Sequence, residues 1–297
     1  MKFRTEYETQ RSSITLSPEV PVVMAGSCFT QNIAAKMNEH DWQAVNPCGT
    51  LYNPFSIACA IELMLDKDKG RERFEGSLFE FNGLWNSHIF DSSFSSSRRG
   101  DCIEEFLLRQ KEFLDTMSKG ETLIVTFGTS ICYHLKETGI PVGNCHKQAS
   151  ALFYEKRMEV NEISSLWNEI IKKLREEYPG VRIIFTVSPV RHLKNGFSGN
   201  SRSKAILQLA IEEICRYNED TDYFPAFEIM NDDLRDYRFY AADLVHPSEE
   251  GVRYIWEKFC ETFLNDEGKQ LLKEGEKKIK ALTHRPKLGA LSRPLHL

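Results

Sequence analysis

The sequence predicts an α/β fold, a parallel sheet covered by helices on both faces. Short apolar runs rich in β-branched residues alternate with longer amphipathic stretches along most of the chain. At one clear junction, Pro179-Gly180 stops a helix directly before a strand. With 297 residues, 41% of them hydrophobic and 27% charged, the chain can bury a sizeable core under a wet surface. That excludes a disordered or collagen-like chain.

Strands are expected over 21–25, 122–126 and 181–187, with weaker ones over 42–45 and 223–229. Helices are expected over 30–40, 54–66, 101–118, 159–178, 201–219 and 248–265. Residues 67–100 break this rhythm. Phe74, Phe79, Phe81, Trp85, Phe90 and Phe94 stand there among Gly, Ser and Asn without a helical period. The segment reads as an insertion, a hairpin or lid packed on the main domain, with Trp85 and His88 facing the cleft. Residues 1–265 are read as one domain including that insertion. Residues 266–297 form a C-terminal tail, helical first and an extended arm over 284–297.

Lys and Arg number 38 against 43 Asp and Glu, a net charge of −5, which gives no electrostatic case for a nucleic-acid partner. The eight cysteines contain no C-x-x-C pair, and no metal site is expected. Neither G-x-G-x-x-G nor a P-loop pattern occurs, so no cofactor is expected. The segment MKFRTEYETQ lacks the apolar core of a signal peptide, and no apolar run approaches a membrane span. The expectation is a soluble cytoplasmic protein, its oligomeric state left open.

In an open parallel sheet the ligand crevice lies beyond the carboxyl ends of the strands, and three segments fall there. Gly26-Ser27-Cys28-Phe29 joins the first strand to a helix, where a hydroxyl or thiol is well placed as a nucleophile; Ser27 could equally cap the helix. Asp243-Leu-Val-His246 precedes the last long helix. Its His could serve as general base and its Asp as orienter, or both could be surface residues. Phe127-Gly-Thr129-Ser130 and the Asn144-Cys145-His146-Lys147 loop follow another strand. Thr129 or Asn144 could donate to an oxyanion, although Asn144 also suits an ordinary turn. Ser188-Pro-Val-Arg191-His192 ends the next strand at the same edge.

Taken in order, these segments resemble the GSCFA family within the SGNH/GDSL hydrolase superfamily. The resemblance rests on Gly26-Ser-Cys-Phe29, Asn46-Pro-Cys-Gly-Thr-Leu-Tyr-Asn-Pro54, Phe127-Gly-Thr129, Asn144-Cys-His-Lys147, Ser188-Pro-Val-Arg-His192, and 232–240 running into Asp243-Leu-Val-His-Pro247. Thr30 departs from it, standing where the family name has Ala. The resemblance implies a three-layer α/β/α sandwich with a five-stranded, flavodoxin-like sheet. It also implies a hydrolase or acyltransferase acting on a small-molecule or carbohydrate-linked ester or thioester through a covalent acyl intermediate. Laid on the superfamily's Gly-Asp-Ser-Leu, the nucleophile falls on Cys28, with Ser27 one residue away. His246 would be the base and Asp243 its orienter.

Gly49 would supply a second-block oxyanion donor. The third block lacks its Asn, leaving Thr129 or Asn144 in that role; one such donor is worth about 3 kcal/mol of barrier. Trp85, His88, His146 and His192 would line the substrate side. Among the cysteines, the helix N-terminus and the imidazole are expected to favour thiolate at Cys28, with Cys145 as its rival. The alternative is a non-catalytic ligand-binding module that keeps the fold.

Overall fold

The computed structural model describes residues 4–283. Five strands form the central sheet: β1 (Val22–Gly26), β2 (Ala44–Val45), β3 (Thr122–Phe127), β4 (Arg182–Val187) and β5 (Thr221–Phe224). All pair in parallel, in the spatial order β2-β1-β3-β4-β5. This is the flavodoxin-like order, whose switch point lies between β1 and β3. The fold is therefore the expected three-layer α/β/α sandwich.

The register explains the layers. Val23 pairs with Leu123 and Leu123 with Ile183, so these side chains share a face, and the alternate residues Met24, Ile124 and Ile184 share the other. The first face is covered by α2 (Pro54–Leu65), α3 (Arg99–Gly120), α4 (Val160–Glu177) and α5 (Gly196–Tyr217). The second face carries α1 (Cys28–Glu39) and α6 (Glu249–Phe263). Because both faces are covered, the strands read as continuous apolar runs rather than alternating ones.

Local signals start the helices. Asn53 caps α2 through the Ser56 amide ahead of Pro54, a capping box of Glu159 and Glu162 opens α4, and Ser248 caps α6 through the Gly251 amide. On α4, Trp167 is fully enclosed with its indole N–H on the Pro54 carbonyl, edge-on to Phe127 and Phe185.

Three regions differ from expectation. The strand expected over 223–229 ends at Phe224, because Pro225 has no N–H to continue a ladder; a short helix, Ala226–Glu228, follows. The insertion contains a short helix, Gly70–Gly76, besides the hairpin Leu78–Phe81 with Leu84–Ser87. Asn82 and Gly83 both have positive φ, the signature of a tight two-residue hairpin turn. Phe74, Phe90 and Phe94 are not lid residues; they are fully buried in contact with one another, and Phe74 stacks on Phe106 of α3. The third difference is a small antiparallel sheet of Ile131–Leu135, Pro141–Val142 and Phe153–Arg157, inserted after β3. In the tail, Asp266–Thr283 is helical; the arm expected over 284–297 lies outside the described residues.

One position controls the carboxyl edge. Gly26 has φ of 139°, and a Cβ there would sit 2.3 Å from the Thr126 carbonyl oxygen. Gly26→Ala is therefore expected to cost at least about 3 kcal/mol in chemical denaturation, since both the backbone angle and the neighbouring strand must yield. A loss below about 1 kcal/mol would contradict this packing.

Candidate active site

The end of β1 delivers Ser27 and Cys28 to the carboxyl edge. Ser27 occupies the N-cap position of α1, yet its hydroxyl makes no capping bond. It is 0% exposed, and its Oγ has no hydrogen-bond partner among the described residues. Cys28 is the first residue of the helix and only partly buried. Two backbone amides, its own and that of Phe29, support its sulfur, and the charge of Lys204 acts in the same direction. Burial outweighs them. The Cys28 thiol is pushed above its ordinary value, which corrects the expectation of a lowered one.

The Asp243–His246 loop carries the second group of candidates. His246 Nδ1 lies 2.6 Å from Asp243 Oδ2; an ionised carboxylate can only accept, so Nδ1 carries the proton and Nε2 is the nitrogen left outside this bond. Asp243 Oδ1 accepts from the amides of Val245 and His246, a turn made possible by Leu244 in the left-handed region. These bonds hold the exposed Asp243 carboxyl at about 2, led by the His246 amide. The negative charge of Asp243 is felt at Cys28.

The segment after β4 braces this loop. The Arg191 amide donates to the Val245 carbonyl and its guanidinium reaches the Leu244 carbonyl while lying 3.9 Å over the Tyr240 ring. Next to it, His192 faces Tyr52 edge-on, and its Nε2 is buried without a partner among the described residues. A Cβ on Gly128 would lie 3.1 Å from that nitrogen and 3.5 Å from Ser27 Cβ, so His192, Gly128 and Ser27 meet at one point. Burial first, then the charges of Lys204 and His246, lower His192 to about 4. A cavity of about 70 Å³ opens beside it, lined also by Thr129, Tyr133, Asn200 and Ser203.

Of the expected oxyanion donors, Gly49 and Thr129 are otherwise engaged. The Gly49 amide donates to the Asn46 carbonyl, and the Gly128 and Thr129 amides both donate to Tyr52. Thr129 Oγ1 bonds Ser203, and Asn144 Oδ1 accepts from the His146 amide. Trp85, His88, Asn144 and His146 are held by other contacts. Trp85 pairs with the Ser96 backbone under Arg99. His88 stacks on Phe79 at 3.9 Å, and its carbonyl accepts from Gly143 and Asn144. His146 Nε2 donates to the carbonyls of Ser87 and Phe90. The insertion reaches the second block instead through Asp91, which accepts from the Thr50 amide. Cys145 lines a separate cavity with Tyr133 and Lys194, and burial raises its thiol too.

Sequence reasoning missed Lys204 and gave no role to Arg191 or Asn46, the last with both side-chain polar atoms buried and unpartnered among the described residues. Lys204 had no local signal, since it sits inside an ordinary amphipathic helix. Among the described residues no cluster of three or more His, Cys, Asp or Glu could hold a metal, and no helix is long and apolar enough to cross a membrane.

The GSCFA family's sequence profile matches residues 21–259. The chain belongs to the GSCFA family. Curated protein sequences give no match. Solved structures that resemble the chain include three at low identity. A carbohydrate esterase family 3 protein from Talaromyces cellulolyticus has TM-score 0.38 and 8% identity, covering 87% of this chain and 99% of that one. A putative platelet activating factor from Streptococcus pneumonia has TM-score 0.39 and 12% identity, covering 82% and 83%. An acetyl xylan esterase from Butyrivibrio proteoclasticus has TM-score 0.40 and 10% identity, covering 90% and 66%.

In this GSCFA chain Thr30 replaces the Ala of the family name, and its hydroxyl is buried without a partner among the described residues. Thr30→Ala removes that hydroxyl and is expected to leave stability unchanged or raise it by up to about 1 kcal/mol in urea unfolding. A clear loss would show that the hydroxyl is satisfied. His192 gives a pH signature. Its ordinary value of 6.5 falls to about 4 on folding, so its stabilising increment is present above 6.5 and lost as pH falls to about 4. The loss should reach up to roughly 3 kcal/mol. His192→Gln should flatten that part of the stability profile; an unchanged slope would refute the assignment.

Proposed function

We propose that the chain hydrolyses or transfers an acyl group from an ester or thioester through a covalent intermediate on Cys28. The observation that carries this reading is the Asp243–His246 hydrogen bond, which presents Nε2 as a base at the edge where Cys28 opens α1. Cys28 Sγ attacks the acyl carbonyl as His246 Nε2 takes its proton. The leaving alcohol or thiol departs with that proton, leaving an S-acyl cysteine. Water or a second alcohol then attacks with His246 again as base, and the thiol is regenerated. Asp243 orients the ring and stabilises its charged form. The amides of Cys28 and Phe29 at the α1 N-terminus favour the developing negative charge.

Cys28 is preferred over Ser27 because Ser27 is fully enclosed. Small-molecule and carbohydrate-linked acyl donors both remain within this reading. A second reading, a ligand-binding module without turnover, is favoured by the engaged amides of Gly49, Gly128 and Thr129.

A panel of short acyl esters and thioesters separates the two. His246→Ala is expected to lower kcat/KM by about 10²–10⁴. Cys28→Ala should abolish both turnover and the acyl adduct seen by mass spectrometry, while Ser27→Ala retains them. A wild-type rate that His246→Ala leaves intact would end the enzymatic reading.

A further inference from the structure

Lys204, on α5, is 1% exposed. Its ammonium donates to the Gly128 carbonyl at 2.6 Å and to the Ser188 carbonyl at 2.7 Å. These carbonyls lie immediately beyond β3 and β4, so one side chain ties the carboxyl ends of two neighbouring strands. The Phe227 ring lies 5.5 Å from the ammonium. Among the described residues no carboxylate forms an ion pair with Lys204.

Two carbonyls and a ring satisfy the N–H groups but carry only partial negative charge, and a buried cation without a counter-charge is costly. Gly128, whose carbonyl Lys204 holds, packs against Ser27, the neighbour of Cys28, and the charges of Lys204 and Cys28 favour one another. His192, beyond β4, is kept neutral partly by Lys204, with His246 acting in the same sense. Asp243 opposes thiolate at Cys28, and Tyr52 also senses Cys28 charge.

We propose that Lys204 is the positioning cation of this site, fixing the β3 and β4 ends through Gly128 and Ser188 and favouring the negative charge that develops on Cys28 as it reacts. The proposal rests on Cys28 as the reacting group and does not require turnover. Burial lowers the Lys204 ammonium to about 7. Its support for a thiolate is therefore present below that pH and lost as pH rises through it.

The test is the rate of Cys28 alkylation by iodoacetamide, mapped by mass spectrometry in wild type and Lys204→Met. At about pH 6 the variant should react at least about threefold more slowly, and by about pH 9 the two rates should converge. A change equal at both pH values, or none, would overturn the proposal by reducing Lys204 to a spacer.

If Lys204→Met does not fold, the lysine Nζ signals of wild type and Cys28→Asp can be titrated by NMR. The Lys204 midpoint should rise when a fixed negative charge stands at position 28, and an unmoved midpoint overturns the coupling. If Cys28 resists alkylation at every pH while that midpoint still shifts, the coupling stands and the nucleophile assignment fails.

Discussion

The close pass of Gly26 against the Thr126 carbonyl is the constraint on which the carboxyl edge depends. β1 lies between β2 and β3, paired in parallel with both, so its last residue must turn within the space left by a neighbouring backbone. Only a residue without Cβ can do so. From there the Leu51 amide reaches the Gly26 carbonyl and the Gly128 and Thr129 amides reach Tyr52. The loops after β1, β2 and β3 are thus laced by backbone bonds, and α1 begins with Cys28 at a fixed place above them.

Part of the molecule's buried polar cost falls at this edge. The two cores on either face of the sheet are apolar. At the carboxyl edge, by contrast, Ser27 Oγ and His192 Nε2 are buried without partners among the described residues, and Lys204 is buried on carbonyls alone. Unpaired polar groups lower stability unless they are offset elsewhere. Locally inconsistent choices of this kind concentrate where a chain does chemistry, in keeping with the acyl-transfer reading.

The insertion plays a structural part larger than a cover. Its phenylalanines complete the core against α3, while His88 and His146 fasten its hairpin to the 143–148 loop. Asp91 then transmits that anchoring to Thr50, next to the backbone of Gly49. The aromatic density of 67–100 measured burial, as large rings require, but carried no direction: it could not say whether the rings faced a cleft or a helix.

The alternation of β-branched runs with amphipathic stretches determined the sheet, its coverage on both faces and the main helices, because period and burial are local properties. The segments at 26–29, 188–192 and 243–246 were legible as an edge cluster for the same reason: each follows a strand or precedes a helix. Which residues meet there was decided only by tertiary structure. Lys204 lies far from Cys28 in sequence and inside a plain helix, and α5 brings it under the edge. Thr129 looks like a free donor in sequence, yet in space its hydroxyl is bonded to Ser203. The Cys28 thiol turns on the same difference. A helix N-terminus can be read locally, but the burial that outweighs it is the sum of neighbours contributed by the whole fold.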